Sequence, residues 1–238
     1  INQFSGPEML QQGRCALAQP WLWVDHTGNR FFNESRGSIF VDVYNAMTSA
    51  GGVSYTIFDQ HMMDQLVNQG AVLPFNAIVL AGVPLKALPE TWRVGQERGW
   101  AFKADSITEL AQQIDVPPEN LLATMKKVNK YAEAGEDPDF GRRPEHLKKF
   151  DLEHGPYYAL KAIRCFFLTL GGVTVNTHFK ARTSQGDVIP GLYVVGQDIG
   201  GLFDSTYDLR CEGSASSFAM TSGRVAAEHA IAQIEKGL

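Results

Sequence analysis

Apolar residues recur in two rhythms along the chain, and its character changes near residue 150. The helical rhythm is clearest in the middle. Ile107, Leu110, Ala111 and Ile114 fall at i, i+3, i+4 and i+7, so one side of a helix is apolar. Ser106 precedes that run and Glu109 follows three residues later, a pair whose hydroxyl and carboxylate can take up free first-turn amides. Pro117 and Pro118 stop this helix and open a second. Leu121, Met125 and Val128 line one side of it, and Gly135 suits its left-handed terminal position. Asp59 reads as the cap of a helix reaching Gly70. Residues 21–24 and 31–32, around the His26-Thr27-Gly28-Asn29 turn, read as a strand, a turn and a second strand, and 53–58 as a further strand. Residues 76–104 are broken by Gly and Pro and predict no firm element. Residues 136–149, charged and Pro-bearing, read as a solvated connector.

Beyond residue 157 the pattern turns to strands: 165–170, 173–175 and, after a turn at 185–187, 189–196. The last is short, apolar and ends in Gly, as a buried parallel-type strand would. A loop follows, then a helix over 214–236 whose inward side is Phe218, Ala219, Ser222, Val225, Ala226 and His229. At 44% hydrophobic and 20% charged residues, a globular mixed fold is expected and disorder is excluded. The longest apolar run, 77–83, falls far short of the ~20 residues that span a bilayer. A net charge of −5 without a basic block argues against a nucleic-acid partner. Cys15, Cys165 and Cys211 lack C-x-x-C spacing and the histidines lack ligand spacing, so neither a disulfide framework nor a metal site is expected.

The chemically informative unit is strand, Gly-bearing loop, helix. Gly213, Ser214, Ala215, Ser216 and Ser217 bring small residues to a helix start and leave its first amides open. Those amides and the helix dipole attract an anion, or a carbonyl oxygen that gains negative charge, as the N1 and O2 edge of a reduced flavin does.

Four stretches in order resemble one family. Gly28-Asn29-Arg30-Phe31-Phe32-Asn33-Glu34 is similar to a G-x-R-F-x-N-E hairpin. Ala104–Ala111 with Asn129, Tyr131, Gly135, Asp137, Pro138, Asp139 and Phe140 is similar to a helix pair with a G-x-D-P-D-F exit. Tyr157-Tyr158-Ala159 with Thr169-Leu170-Gly171-Gly172-Val173 and Ile189–Gln197 with Gly200-Gly201 complete the set. Together they resemble the fumarate reductase and succinate dehydrogenase flavoproteins, which are FAD-dependent oxidoreductases. The G-x-G-x-x-G turn and ribose-binding acid with which that family begins do not occur here. The resemblance therefore implies an α+β capping domain plus an incomplete, Rossmann-like α/β FAD-binding segment. It divides the chain into a hinge segment at 1–30, a capping domain at 31–150 and a closing FAD-domain segment at 151–238. The expectation is a piece of a larger enzyme that needs its N-terminal FAD-domain portion.

The resemblance also implies roles. Gln197, after Gly196, stands where the family usually has a Glu bonding flavin hydroxyls, and Gly213, Ser214, Ala215 and Ser216 match the segment over the flavin pyrimidine edge. Arg210 occupies the place of the substrate-clamping arginine, where a planar guanidinium can hold a carboxylate bidentately. The family's acid arginine would fall at Ser38, so Arg36, two residues early, is the displaced candidate. The family's His pair falls on Phe167 and Leu168, which cannot bond a carboxylate. With Phe166 they form an apolar wall, and Tyr207 sits in a lengthened loop beside the substrate. The implied reaction is hydride transfer at flavin N5 to or from a C=C bond of a small unsaturated acid or related substrate. The alternatives are a ketosteroid-type dehydrogenase acting on a bulky apolar ring, or an isolated domain without catalysis. A small-molecule substrate and an electron-donor protein are the expected partners. The protein is expected to be soluble, cytoplasmic or periplasmic, with the compartment open.

Overall fold

The computed structural model describes residues 7–75, 78–165, 170–203 and 213–237, with side chains from residue 10 onward. Contacts divide the chain into two units, Ile1–Arg164 and Cys165–Leu238.

The first unit runs α1 (Pro7–Leu17), β1 (Leu22–Asp25), α2 (Phe40–Ser49), β2 (Val53–Asp59), α3 (Gln60–Asn68), α4 (Leu88–Glu97), β3 (Ala101–Ala104), α5 (Ile107–Gln113), α6 (Pro118–Ala134) and β4 (Tyr157–Ile163). Its four-stranded sheet has the order β1-β2-β4-β3, antiparallel throughout. The strand latest in sequence thus lies inside the sheet, with Val53 opposite Ile163 and Asp59 opposite Tyr157. Every residue of β2 after Val53 is buried, so helices and loops cover both sides of this strand. One core gathers Trp21, Leu22, Ile57, Phe58, Leu66, Leu110 and Leu121. Each such side chain contributes about 1.5–3 kcal/mol on burial.

The capping chemistry forms as the sequence predicts. The Asp59 carboxylate accepts from the Met62 amide at 2.9 Å. Ser106 Oγ accepts from the Glu109 amide at 3.2 Å, and the Glu109 carboxylate reaches back to the amide of Asp105. Gly135 ends α6 at φ +72°. Three helices carry no such signal and are new: α1, α2 and α4, the last inside the Gly- and Pro-broken stretch.

Two expectations for this unit need correction. No strand forms at 31–32. The Asp25 carboxylate binds the amides of Thr27 and Asn29 to close the turn, and the chain then enters a 3-10 turn at Glu34–Arg36. Phe32 packs on Trp23 with Val43 and Met47, and on the outer edge of β1 the Glu34 carboxylate, rather than a strand, accepts the Trp23 amide at 3.3 Å. The connector at 136–149 is not simply solvated, because Asp137, Arg142 and His146 are buried. Each answers a polar group already inside the unit.

The second unit holds a two-stranded antiparallel ribbon, β5 (Lys180–Arg182) and β6 (Val188–Tyr193), and the long helix α7 (Ser214–Glu235). Gly186, at φ +93°, makes the turn between the strands. The expected buried parallel strand is therefore a ribbon strand instead, with Leu192 45% and Val195 37% exposed. Among the described residues its strand partner is β5 alone. Of the expected strand at 165–170, residues 166–169 lie outside the described residues. No helix among the described residues is long and apolar enough to cross a membrane.

Candidate functional site

After β6 the chain makes a 3-10 turn at Gly196–Asp198. Gly196 adopts φ +63°, a left-handed conformation that costs a glycine little. Its amide donates to Ser222 Oγ at 2.9 Å, and that hydroxyl donates to the Ala219 carbonyl at 3.1 Å. A Cβ on Gly196 would stand 3.3 Å from Ala219 Cβ, so the turn lies directly on α7. Gln197 is half-buried beside it. On the other side, backbone meets backbone: Val173 N–H donates to Asp198 O at 2.8 Å and Gly200 N–H to Val173 O at 3.0 Å. A Cβ on Gly172 would fall 2.2 Å from Asp198 O, and one on Gly200 would fall 2.5 Å from Gly172 O. These glycines are there because no side chain fits.

Among the described residues, no side chain caps the start of α7. Gly213, at φ +84°, supplies no side-chain cap. The first full helical hydrogen bond runs from Ser217 N–H to Gly213 O, so the amides of Ser214, Ala215 and Ser216 have no acceptor within the helix. Ser214 Oγ is buried and has no hydrogen-bond partner among the described residues. At a rise of about 1.5 Å per residue, the helix start lies about 7.5 Å along α7 from the Ala219 contact that seats the Gly196 turn. The second unit thus brings Gly196, Gln197, Gly213, Ser214, Ala215 and Ser216 onto one turn-and-helix pair.

The other expected site residues are placed differently. Arg210, Tyr207 and Phe167 lie outside the described residues. Arg36 lies in the first unit, exposed and ion-paired with Asp42 at 2.5 Å. No group of histidine, cysteine or acidic residues among the described residues could hold a metal. Burial pushes the Cys15 thiol up to about 12, so it is protonated and inert at neutral pH.

One constellation escaped the sequence reading. Arg30 grips Glu34 through Nε at 2.8 Å and Nη2 at 2.6 Å, and Asp137 through Nη1 at 3.0 Å and Nη2 at 2.7 Å. All three side chains are almost wholly buried. Asp137 also accepts the amides of Asp139, Phe140 and Arg142. Burial raises its pKa, but Arg30 and those amides outweigh burial and hold it at about 2. Arg142 lies 3.8 Å from Glu34, and burial lowers its pKa. Ser35 Oγ meets Arg143 N–H and His146 Nδ1, and burial also lowers the pKa of His146. The available signal was opposite charge within the two motifs at 28–34 and 135–140.

An open helix start beside a glycine-lined turn, within a mixed helix-and-sheet fold, is an arrangement suited to a flavin. Residues 10–213 match the FAD binding domain family. The chain belongs to that family, among the fumarate reductase and succinate dehydrogenase flavoproteins, whose cofactor is FAD. It is 30% identical over 222 residues to the vinyl phenol reductase of Lactiplantibacillus plantarum, an alignment covering 92% of this chain and 44% of that protein. To a 3-oxosteroid 1-dehydrogenase of Mycolicibacterium smegmatis it is 27% identical over 225 residues, 86% of this chain and 37% of that one. The open conformation of a flavocytochrome c3 fumarate reductase shares the fold, with a TM-score of 0.57 at 23% identity over 90% of this chain and 32% of that one. The chain therefore spans less than half the length of these curated relatives. FAD fits the residues present: Ser214 Oγ lacks a partner, three amides are open, and the glycines at 172, 196 and 200 leave the backbone bare of side chains.

Proposed function

We propose that this chain is the capping domain and closing FAD-domain segment of an oxidoreductase that reduces or forms a C=C bond in a small unsaturated acid or related substrate. In this reading 1–30 leads into the cap, 31–150 is the cap and 151–238 closes the FAD domain. The open start of α7 beside the Gly196–Gln197 turn carries the proposal. When bound, FAD supplies the acceptor and donor of hydride. The amides of Ser214, Ala215 and Ser216 would hold its pyrimidine edge, donating to oxygen and nitrogen acceptors there. Gln197 offers an amide to flavin hydroxyls without adding charge. Ser222 keeps the Gly196 turn in register with α7. Arg210 clamps a carboxylate of the substrate and polarises its double bond. Arg36 is the proposed proton carrier, and it must leave Asp42 to act as one. Phe167 and Tyr207 line the substrate.

The whole protein further requires the N-terminal FAD-domain portion and, as proposed partner, an electron-donor protein. A second reading, a ketosteroid-type dehydrogenase acting on a bulky ring, has support in the Mycolicibacterium relative and the apolar 166–168 segment. In the FAD-loaded protein that carries this chain, Arg210→Ala should lower turnover by orders of magnitude, and unchanged kinetics would dispose of its role. Assays with unsaturated acids against 3-ketosteroids decide between the two substrate classes. An isolated chain that retains no flavin on gel filtration would match the non-catalytic alternative for these residues alone.

A further inference from the structure

The first unit contains a ladder of four rings unrelated to the roles above. Trp21 meets Phe58 at 5.4 Å between centroids, Phe58 meets Trp92 at 5.7 Å, and Trp92 meets Tyr158 at 5.3 Å, each pair nearly perpendicular. All four are buried, and Tyr158 is the end that reaches polar company. Its hydroxyl donates to Gln60 Oε1 at 2.6 Å, and Gln60 in turn donates to the exposed Asp64 carboxylate at 2.7 Å. Lys103 Nζ stands 5.6 Å from the centroid of the Tyr158 ring.

Edge-to-face packing accounts for the ring geometry on its own. It does not account for the indole nitrogens. Buried tryptophan N–H groups usually find an acceptor, yet Nε1 of both Trp21 and Trp92 is buried with no partner among the described residues. In redox chemistry that omission has a consequence. An indole that loses one electron becomes acidic at N–H, and an acceptor there would take the proton and trap the radical. Without an acceptor the radical cation keeps its proton and its oxidising power. A phenol behaves in the opposite way, since it gives up its proton on oxidation and so needs an exit for it. Tyr158 is the ring in the ladder that has one.

We propose that the Trp21–Phe58–Trp92–Tyr158 ladder carries one-electron oxidising equivalents out of the core of the first unit to Tyr158. A one-electron oxidant of the oxygen-radical class takes an electron from Trp21 and is itself reduced. An electron passes from Trp92 to Trp21 across the Phe58 ring, which is not oxidised, and another passes from Tyr158 to Trp92. The Tyr158 O–H bond breaks: Gln60 Oε1 takes that proton as Gln60 Nε2 gives one to the Asp64 carboxylate, which passes it to water, and the Gln60 amide then returns to its ordinary tautomer. The balance is one oxidant reduced, one proton released and one neutral phenoxyl at Tyr158, which a soluble thiol can reduce. Both indoles end as they began.

Laser photoionisation of indole in the 238-residue chain, followed by time-resolved absorption of tryptophan and tyrosine radicals, tests this. The tryptophan radical should decay in step with growth of a tyrosyl radical, at a rate independent of protein concentration. Tyr158→Phe, which removes only the hydroxyl, should abolish that growth and prolong the tryptophan radical. Tyr131→Phe on α6 should change neither. Peptide mapping of the oxidised native chain needs no variant and should place the products on Tyr158. Tyrosyl growth that persists in Tyr158→Phe, no tyrosyl growth in the native chain, or products on Trp21 and Trp92 with none on Tyr158 would each overturn the proposal.

Discussion

Arg30 shows how much one side chain can organise. Its guanidinium bridges Glu34, four residues away, and Asp137, 107 residues away, and lies 5.0 Å from the Phe140 ring centroid. Charges taken from water must be returned their hydrogen bonds, and here nearly every oxygen of both carboxylates is engaged. Removing the cation strands two buried anions, so Arg30→Met should cost about 3–5 kcal/mol in urea unfolding. The pH dependence follows from Asp137. Its folded pKa of about 2 lies below the ordinary 3.8, so the folded state favours the charged form. The stabilisation, about 2 kcal/mol, is fully present above the unfolded value and is lost as pH falls through the folded one. The stability difference between the native chain and Asp137→Asn should therefore shrink steadily from pH ~4 down to pH ~2. A difference that stays constant over that window would contradict the assignment. Each of these residues lies in a motif recognised in the sequence, yet their pairing was illegible there. Charge complementarity across 107 residues selects no partner until a fold brings the two loops together.

Elements were legible where their signals are local. The capped starts of α3 and α5 and the glycine stop of α6 depend on residues a turn away, and they form where the sequence places them. Helix α4 carries its own glycine and proline, and its helicity comes from burying Trp92 and Val94 rather than from propensity. Strand β6 was misread because a short apolar run records burial potential but not the identity of its neighbour. The glycine contacts at 172, 196 and 200 are similarly invisible to pattern, since they answer backbone atoms met only in three dimensions. Gly172→Ala should force Val173 and Gly200 apart, because the obstacle is the backbone oxygen of Asp198 rather than a side chain that can turn away. Overpacking of this kind costs about 1–3 kcal/mol. The hydrogen-exchange protection of the Val173 and Gly200 amides should fall while that of β2 and β4 is unchanged. Equal protection in variant and native chains would show that the backbone yields.

At the scale of the whole molecule, family membership was readable from four motifs in order, and residues 10–213 match the FAD binding domain family. The substrate was not readable, since the residues expected to meet it, Arg210, Tyr207 and Phe167, gain meaning only from a bound geometry. What the structure adds is a reason for the glycines at 172, 196 and 200 and for the small residues at 213–216: the glycines let backbone meet backbone and α7, and the small residues leave the first amides of α7 without a side-chain cap. The most direct measurement is hydrogen exchange, with and without FAD, on the protein expressed with any flanking sequence its gene encodes. The amides of Ser214, Ala215 and Ser216 should slow on adding FAD, because amides without an acceptor in the helix would acquire one. Protection confined to residues before 164, with the amides of 214–216 unchanged, would contradict the account.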